Sequence, residues 1–182
     1  MKVLAIYGSP RKNGNTANMM DMALTAFPPE AEIHKIFIAD LTFSACGACR
    51  ECKTSGFCIV NDDMQQIYTE MLWAEVILIG SPTQFSDVSA DIKKLMERTW
   101  WMKGDLRNKI GGYVITGRRY MESVINTLQA FMLRHQMILG GNGAIGYTFT
   151  EMGNLDNDPL ALKDAYKTGL RLGELYNLIY NK

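Results

Sequence analysis

Apolar residues along this chain alternate between two patterns. Short runs rich in β-branched and aliphatic residues, at residues 3–7 (VLAIY), 33–38 (IHKIFI), 76–80 (VILIG), 112–116 (GYVIT) and 143–148 (GAIGYT), read as strands. Between them, residues 16–27, 62–74, 89–101 and 121–137 place apolar side chains at three- and four-residue intervals, over lengths that suit amphipathic helices. A last helix follows Asp158-Pro159, where the carboxylate can cap and the proline can occupy the first turn. The stretch GNLDND at residues 153–158 reads as the turn before it.

Strand alternating with helix implies βαβ units with right-handed crossovers. The expected fold is therefore α/β, a doubly wound five-stranded parallel sheet with helices on both faces. In the order 2-1-3-4-5, strands one and three flank the point where the winding reverses, and ligands bind outside the carboxyl ends of the strands there. No repeat or linker interrupts the pattern, so residues 1–182 are read as one domain, with a cysteine-rich loop at 44–60.

Charge and composition remove several function classes. Lys plus Arg and Asp plus Glu both number 19. That balance leaves no positive surplus to hold a nucleic-acid backbone or an acidic membrane. The first apolar run is five residues long and leads directly into GSPRKNGNT, unlike a signal peptide, and no stretch has the apolar length of a membrane span. The expected location is the cytoplasm, where thiols stay reduced and clustered cysteines more often bind metal than form disulfides.

The first strand ends in that GSPRKNGNT loop and a helix follows, which is where backbone amides and a helix N-terminus favour an anion. The loop is neither a Walker motif nor the G-x-G-x-x-G of dinucleotide folds. It offers hydroxyls at Ser9 and Thr16, the amide of Asn15 and the guanidinium of Arg11, a set that suits a terminal monophosphate. The alternative is that these are ordinary turn and capping residues. After the third strand, GSPTQFS at residues 80–86 forms a second carboxyl-edge loop with an aromatic and small polar groups.

All four cysteines of the chain fall between residues 46 and 58, spaced Cys-x2-Cys-x2-Cys-x5-Cys. Cys46, Cys49, Cys52 and Cys58 are soft donors in one loop, with Gly47 and Gly56 expected to let the backbone curl. The successive x2 spacings suit a 4Fe-4S cluster. Zinc in a closed four-cysteine site, uncoordinated thiols and, last, disulfides are the alternatives; zinc sites usually separate two knuckles by a dozen residues or more.

The segments S-P-R-x-x-G-N-T after the first strand and G-S-P-x-x-F after the third resemble the NADPH-dependent FMN reductase and iron-sulfur flavoprotein group of flavodoxin-like proteins. The likeness covers most of the chain, and the compact cysteine motif followed by IVNDDM at residues 59–64 resembles the iron-sulfur flavoprotein branch. The resemblance implies a flavodoxin-like fold and FMN, its phosphate on Ser9, Arg11, Asn15 and Thr16. It sets Pro82, Thr83, Gln84, Phe85 and Ser86 along the flavin ring, with Thr116 and Gly117 of the TGRR turn nearby. It also implies a homodimer or homotetramer and an electron donor such as ferredoxin or NAD(P)H. Arg118 and Arg119 stand where relatives often carry glycine, and Phe85 stands at or near a position often held by Tyr.

The expected function is electron transfer between such a donor and an acceptor through FMN and the cluster. Two alternatives are an NAD(P)H-dependent FMN or quinone reductase without a cluster, and a non-catalytic electron carrier or thiol redox sensor. Trp100, Trp101, Met102 and Met96 are candidates for a subunit interface or for core. His34, His135 and the Asp62-Asp63 pair read as structural, and no general acid or base is assigned.

Overall fold

The computed structural model describes residues 1–148 and 155–180. Among these residues six strands form one parallel sheet: β1 (Lys2–Tyr7), β2 (Glu32–Phe37), β3 (Val76–Pro82), β4 (Ile110–Gly117), β5 (Ile138–Leu139) and β6 (Ala144–Tyr147). Their order is β2-β1-β3-β4-β5, and β6 also pairs with β4. This is the expected doubly wound, flavodoxin-like arrangement.

Period-two alternation divides each strand between two cores. Leu4 and Ile6 of β1, Ile77 and Ile79 of β3, and Tyr113 and Ile115 of β4 face α3 (Met64–Trp73), α4 (Ala90–Arg98) and α5 (Met121–Arg134). Val3, Ala5 and Tyr7, Val76 and Leu78, and Ile110 and Val114 face α1 (Asn15–Leu24) and α6 (Ala161–Tyr180). Both faces are covered, which is why the central strands read as unbroken apolar runs. Met19, Met20, Met64, Met71 and Met132 are fully buried, as flexible fillers of irregular gaps.

The edge beyond β4 differs from the five-strand expectation, because its fifth position is filled in two pieces. Ile138–Leu139 pairs with the start of β4 and Ala144–Tyr147 with its end. Between them the chain turns through Gly141 and Gly143, both at positive φ. A Cβ on Gly143 would fall 2.3 Å from the Tyr113 ring, so glycine is required where the chain crosses that ring. Helix α5 correspondingly ends at Arg134 rather than continuing to residue 137.

Asp158 caps the last helix as expected, its Oδ1 accepting the amides of Leu160 and Ala161 and its Oδ2 that of Tyr147. Within the loop at residues 153–158, Gly153 and Asn154 lie outside the described residues. His34 stacks on Trp73 and meets Glu70 at 2.7 Å; His135 is buried between Thr99 and the Met102 carbonyl. Each ring is thus held by contacts within the fold. No helix among the described residues is long and apolar enough to cross a membrane.

Candidate functional site

The carboxyl ends of β1, β3, β4 and β6 lie in register, with Tyr7 opposite Gly80, Pro82 opposite Thr116 and Gly117 opposite Tyr147. The first residue after β1, β3 and β6 is held to a neighbouring strand. Gly8 donates to the Gly80 carbonyl at 2.8 Å, Thr83 to that of Thr116 at 2.7 Å, and Thr148 to that of Gly117 at 2.8 Å. Each of these N–H groups finds its acceptor on β3 or β4, which fixes the start of each loop to the sheet edge.

Helix α1 begins at this edge. Its cap is Gly14, which has no side chain to satisfy the first-turn amides, and no acidic residue occupies that turn. Such a terminus favours an anion. The turn before it is closed by the Gly14 amide on the Arg11 carbonyl at 3.2 Å, while the buried Ser9 hydroxyl accepts the Arg11 amide at 3.2 Å. The Arg11 and Asn15 side chains lie at the rim, exposed and half-buried respectively. Thr16 stands apart from the other three: its buried hydroxyl meets that of Thr116 at 2.6 Å, joining α1 to β4.

Two features mark the second and third loops as a cradle for a ligand. The Thr83 hydroxyl oxygen is buried and finds no hydrogen-bond partner among the described residues. Beside it, a Cβ on Gly117 would come within 2.4 Å of that same oxygen, so the backbone there runs closer to Thr83 than any side chain permits. An unpaired buried hydroxyl costs about 1–3 kcal/mol, which an incoming polar ligand atom would recover. The chain's own residues thus fit a flavin mononucleotide: an anion seat, then a narrow strip with an unsatisfied polar group.

Residues 84–87 close into a tight hairpin, Gln84 and Asp87 exchanging both backbone hydrogen bonds. Its central residues, Phe85 and Ser86, stand at φ 46° and 64°, a pairing that normally selects Asn-Gly. Phe85 is fully exposed. Phe85 buries no surface, so packing does not account for the strained backbone at this turn. Replacing Phe85-Ser86 by Asn-Gly should raise the unfolding free energy by about 1–2 kcal/mol. Denaturant titration of the ligand-free protein checks this, and an unchanged midpoint would mean that the turn carries no strain. Arg118 and Arg119 are exposed at the neighbouring turn, followed by Tyr120 at φ 58°.

The four cysteines are held elsewhere. Cys46, Cys49, Cys52 and Cys58 are unpaired and line one open cavity of about 320 Å³, together with Arg98 at the end of α4 and Trp100 and Trp101 in the turn after it. The loop curls through Ala48 and Arg50, both at positive φ, and through Gly56, which ends the short helix α2 (Cys52–Ser55) in left-handed geometry. Gly56 thus behaves as the sequence suggests, whereas Gly47 is not among the positive-φ residues. Arg50 and Lys103 both lie over the Trp100 ring at the mouth, at 5.0 and 4.7 Å.

Arg98 was not singled out by the sequence, yet it organises this loop. Its buried guanidinium donates to the Ser44 carbonyl and hydroxyl before the cysteines, and to the Val60 carbonyl and both Asp62 oxygens after them. Asp62 accepts the Ser44 amide and Asp63 the Thr42 amide, so the two feet of the loop are laced together. Burial alone would raise the Asp62 carboxyl, but the Arg98 and backbone hydrogen bonds outweigh it and hold the pKa below its ordinary value. The detectable sequence signal is phase: Arg98 follows Ile92 and Leu95 at three-residue spacing, on the buried side of α4. Met102 is wholly core, and Trp101 and Met96 pack against that core.

The cysteine loop leaves the carboxyl edge but does not stay there. Ile92 at the start of α4 packs on Gly8, and the Ser89 amide bonds the Ser81 hydroxyl at 3.0 Å, whereas the cavity lies at Arg98–Trp101. Nine helical residues, about 13 Å at 1.5 Å per residue, separate the two places. Among the described residues no three His, Cys, Asp or Glu side chains converge on a point that would hold a single metal ion. The four thiols on one cavity are soft donors, the kind that hold zinc or an iron-sulfur cluster.

Comparison with known proteins agrees with this geometry. The family model for NADPH-dependent FMN reductase matches residues 1–150. The chain is 36% identical to an iron-sulfur flavoprotein of Methanocaldococcus jannaschii, over 98% of this chain and 99% of that one. It is 28% identical to an iron-sulfur flavoprotein of Methanosarcina thermophila, over 98% and 97% of the two chains. Among solved structures, RosB with a bound formylriboflavin phosphate intermediate superposes with TM-score 0.79 at 14% identity, covering 98% of this chain and 81% of its own. The NAD(P)H:quinone oxidoreductase of Methanothermobacter marburgensis does so with TM-score 0.71 at 13% identity, covering 99% and 96%. At these identities the structural likeness speaks to the fold alone.

Proposed function

The chain belongs to the NADPH-dependent FMN reductase family, and we propose that it is an FMN-binding oxidoreductase of the iron-sulfur flavoprotein kind. In this reading Cys46, Cys49, Cys52 and Cys58 hold a 4Fe-4S cluster, and electrons pass between a donor such as ferredoxin or NAD(P)H and an acceptor. The observation that carries it is the gathering of all four thiols on one cavity, in a chain whose carboxyl-edge loops form an anion seat beside an unsatisfied hydroxyl.

When bound, FMN takes electrons in pairs or singly while the cluster passes one at a time, so the protein's part is placement and tuning. Ser9, Arg11 and Asn15 with the first turn of α1 would hold the phosphate, and Thr16 would steady that turn through Thr116. Thr83 would offer its hydroxyl to the ring edge, Gly117 would leave the ring its room, and Pro82, Gln84, Phe85 and Ser86 would border it. The length of α4 between the cradle and the cavity, and the exposed Phe57 and Ile59 on the cysteine loop, favour a homodimer or homotetramer in which a neighbour shortens the path.

The test is anaerobic purification with FMN, iron, acid-labile sulfide and zinc assayed on one sample. One FMN with about four irons and four sulfides per chain is expected. FMN without iron would make this a cluster-free reductase, and turnover with NAD(P)H would then separate it from a carrier. Arg11→Ala should weaken FMN binding about 10- to 100-fold, the range of a charge-assisted contact to phosphate. Fluorescence titration of the apoprotein reads that change, and undiminished affinity would remove Arg11 from the phosphate seat.

A further inference from the structure

Arg98 has five N–H groups, and the structure accounts for four of them. Those on its two terminal nitrogens reach Ser44, Val60 and Asp62. The fifth, on Nε, is buried and has no hydrogen-bond partner among the described residues. The same is true of the indole Nε1 of Trp101, one helical turn further on. Both side chains line the cysteine cavity, and Arg98 is only 2% exposed. The Trp101 ring is fixed edge-on against Tyr68, 5.1 Å between centroids at 85°, and Tyr68 in turn donates to the Arg98 carbonyl at 3.0 Å.

Buried donors without acceptors are rare and destabilising, by about 1–3 kcal/mol each. Two of them on neighbouring side chains share one cavity with four thiols, while the Tyr68 hydroxyl beside Trp101 already donates its own proton to the Arg98 carbonyl. Glu97 also lines the cavity, but it is an exposed side chain at the rim. The acceptors that a loaded cavity would supply are sulfurs: the cysteine thiolates and the bridging sulfides of a cluster.

We propose that Arg98 Nε and Trp101 Nε1 are donors reserved for the sulfur of the group held by the four cysteines, and that they set its reduction potential. The inference rests on the cluster reading given above. Hydrogen bonds to cluster sulfur strengthen as negative charge accumulates on reduction, so such donors favour the reduced form and raise the potential. Arg98 is a positioning residue as well, because its other four donors close the loop. Trp101 has no such second task and gives the cleaner test.

Trp101→Phe keeps an aromatic ring but removes the N–H together with the five-membered half of the indole, a loss of volume that the Trp100→Phe control shares. The measurement is a potentiometric titration of the holoprotein, followed by low-temperature electron paramagnetic resonance, with iron and sulfide counted on the same samples. The expected result is unchanged iron content and a cluster about tenfold harder to reduce, which is about 59 mV lower for one electron. Arg98→Lys should shift the potential in the same direction, and Trp100→Phe, which alters the cavity mouth but no buried orphan donor, should leave it in place. Full iron content in Trp101→Phe with an unchanged potential would overturn the proposal. Wild-type protein that binds FMN but no iron would instead overturn the cluster reading, so the two failures are distinguishable. Should Arg98→Lys fail to fold, the Trp101→Phe and Trp100→Phe pair decides the matter alone.

Discussion

Asp62→Ala is expected to lower the unfolding free energy of the ligand-free protein by about 3 kcal/mol, because it leaves the Arg98 guanidinium buried without its counter-charge. The two side chains meet at 2.7 Å, with Arg98 1% and Asp62 15% exposed. That partial access of Asp62 to water sets the loss at the lower end for a buried pair. Removing both charges together, as Asp62→Leu with Arg98→Met, should do less damage than the single change, since no orphan charge remains. Denaturant unfolding of the three proteins checks this. A single-mutant loss below about 1 kcal/mol would mean that the guanidinium finds water and that the pair does not anchor the loop.

The same pair gives the wild type an acid limb. The Asp62 carboxyl is held below its ordinary value in the folded state, so between the folded and unfolded pKa values the unfolded chain binds the extra proton. The stability it contributes is fully present above the unfolded value, about 3.9, and is lost as pH falls through the lower, folded value. Asp62→Ala should lack this part of the acid dependence.

Gly8→Ala carries the second large effect, this time on the proposed flavin cradle. An added Cβ would fall 2.3 Å from the Ile92 side chain and 2.7 Å from the Gly80 carbonyl oxygen, the atom that accepts the Gly8 amide. Ile92 can yield to some extent. The carbonyl belongs to β3 and cannot move without separating the ends of β1 and β3. Overpacking of this kind costs about 1–3 kcal/mol. Because the displaced backbone is the floor of the turn proposed to hold the phosphate, we expect FMN affinity to fall about 30- to 100-fold. Gly47→Ala is the control, since a Cβ there meets nothing within 4 Å. Equal affinities for the two variants would show that the phosphate seat does not depend on the β1–β3 junction.

The sheet order and the two-faced packing were legible in the sequence because unbroken aliphatic runs alternate with three- and four-residue periodicity, and a parallel sheet leaves such a pattern little freedom. The split of the outer strand was not, since Ile138 and Leu139 are too few to show a period and Gly140 to Gly143 read as a simple boundary. The site was legible in part. Motif residues at the ends of β1, β3 and β4 do meet at one edge, but Thr16 turned out to bond Thr116. Phe85 was noticed as an aromatic, yet nothing in Phe-Ser suggests left-handed backbone. Arg98 was hidden because a charged residue on a helix is ordinarily read as solvated. Without Arg98 the sequence could not show that the cysteine loop folds back along α4, away from the edge it leaves.

The lacing of the cysteine loop also settles which part of the fold carries the cost of ordering it. Thr42 and Ser44 are tied to Asp63 and Asp62, and Arg98 joins both sides of the loop to α4. Bringing two loop ends together costs conformational entropy, and here hydrogen bonds between the protein's own groups hold those ends in place. The affinity of the four thiols for whatever they hold is then a matter of the thiols and the cavity walls, not of gathering the loop.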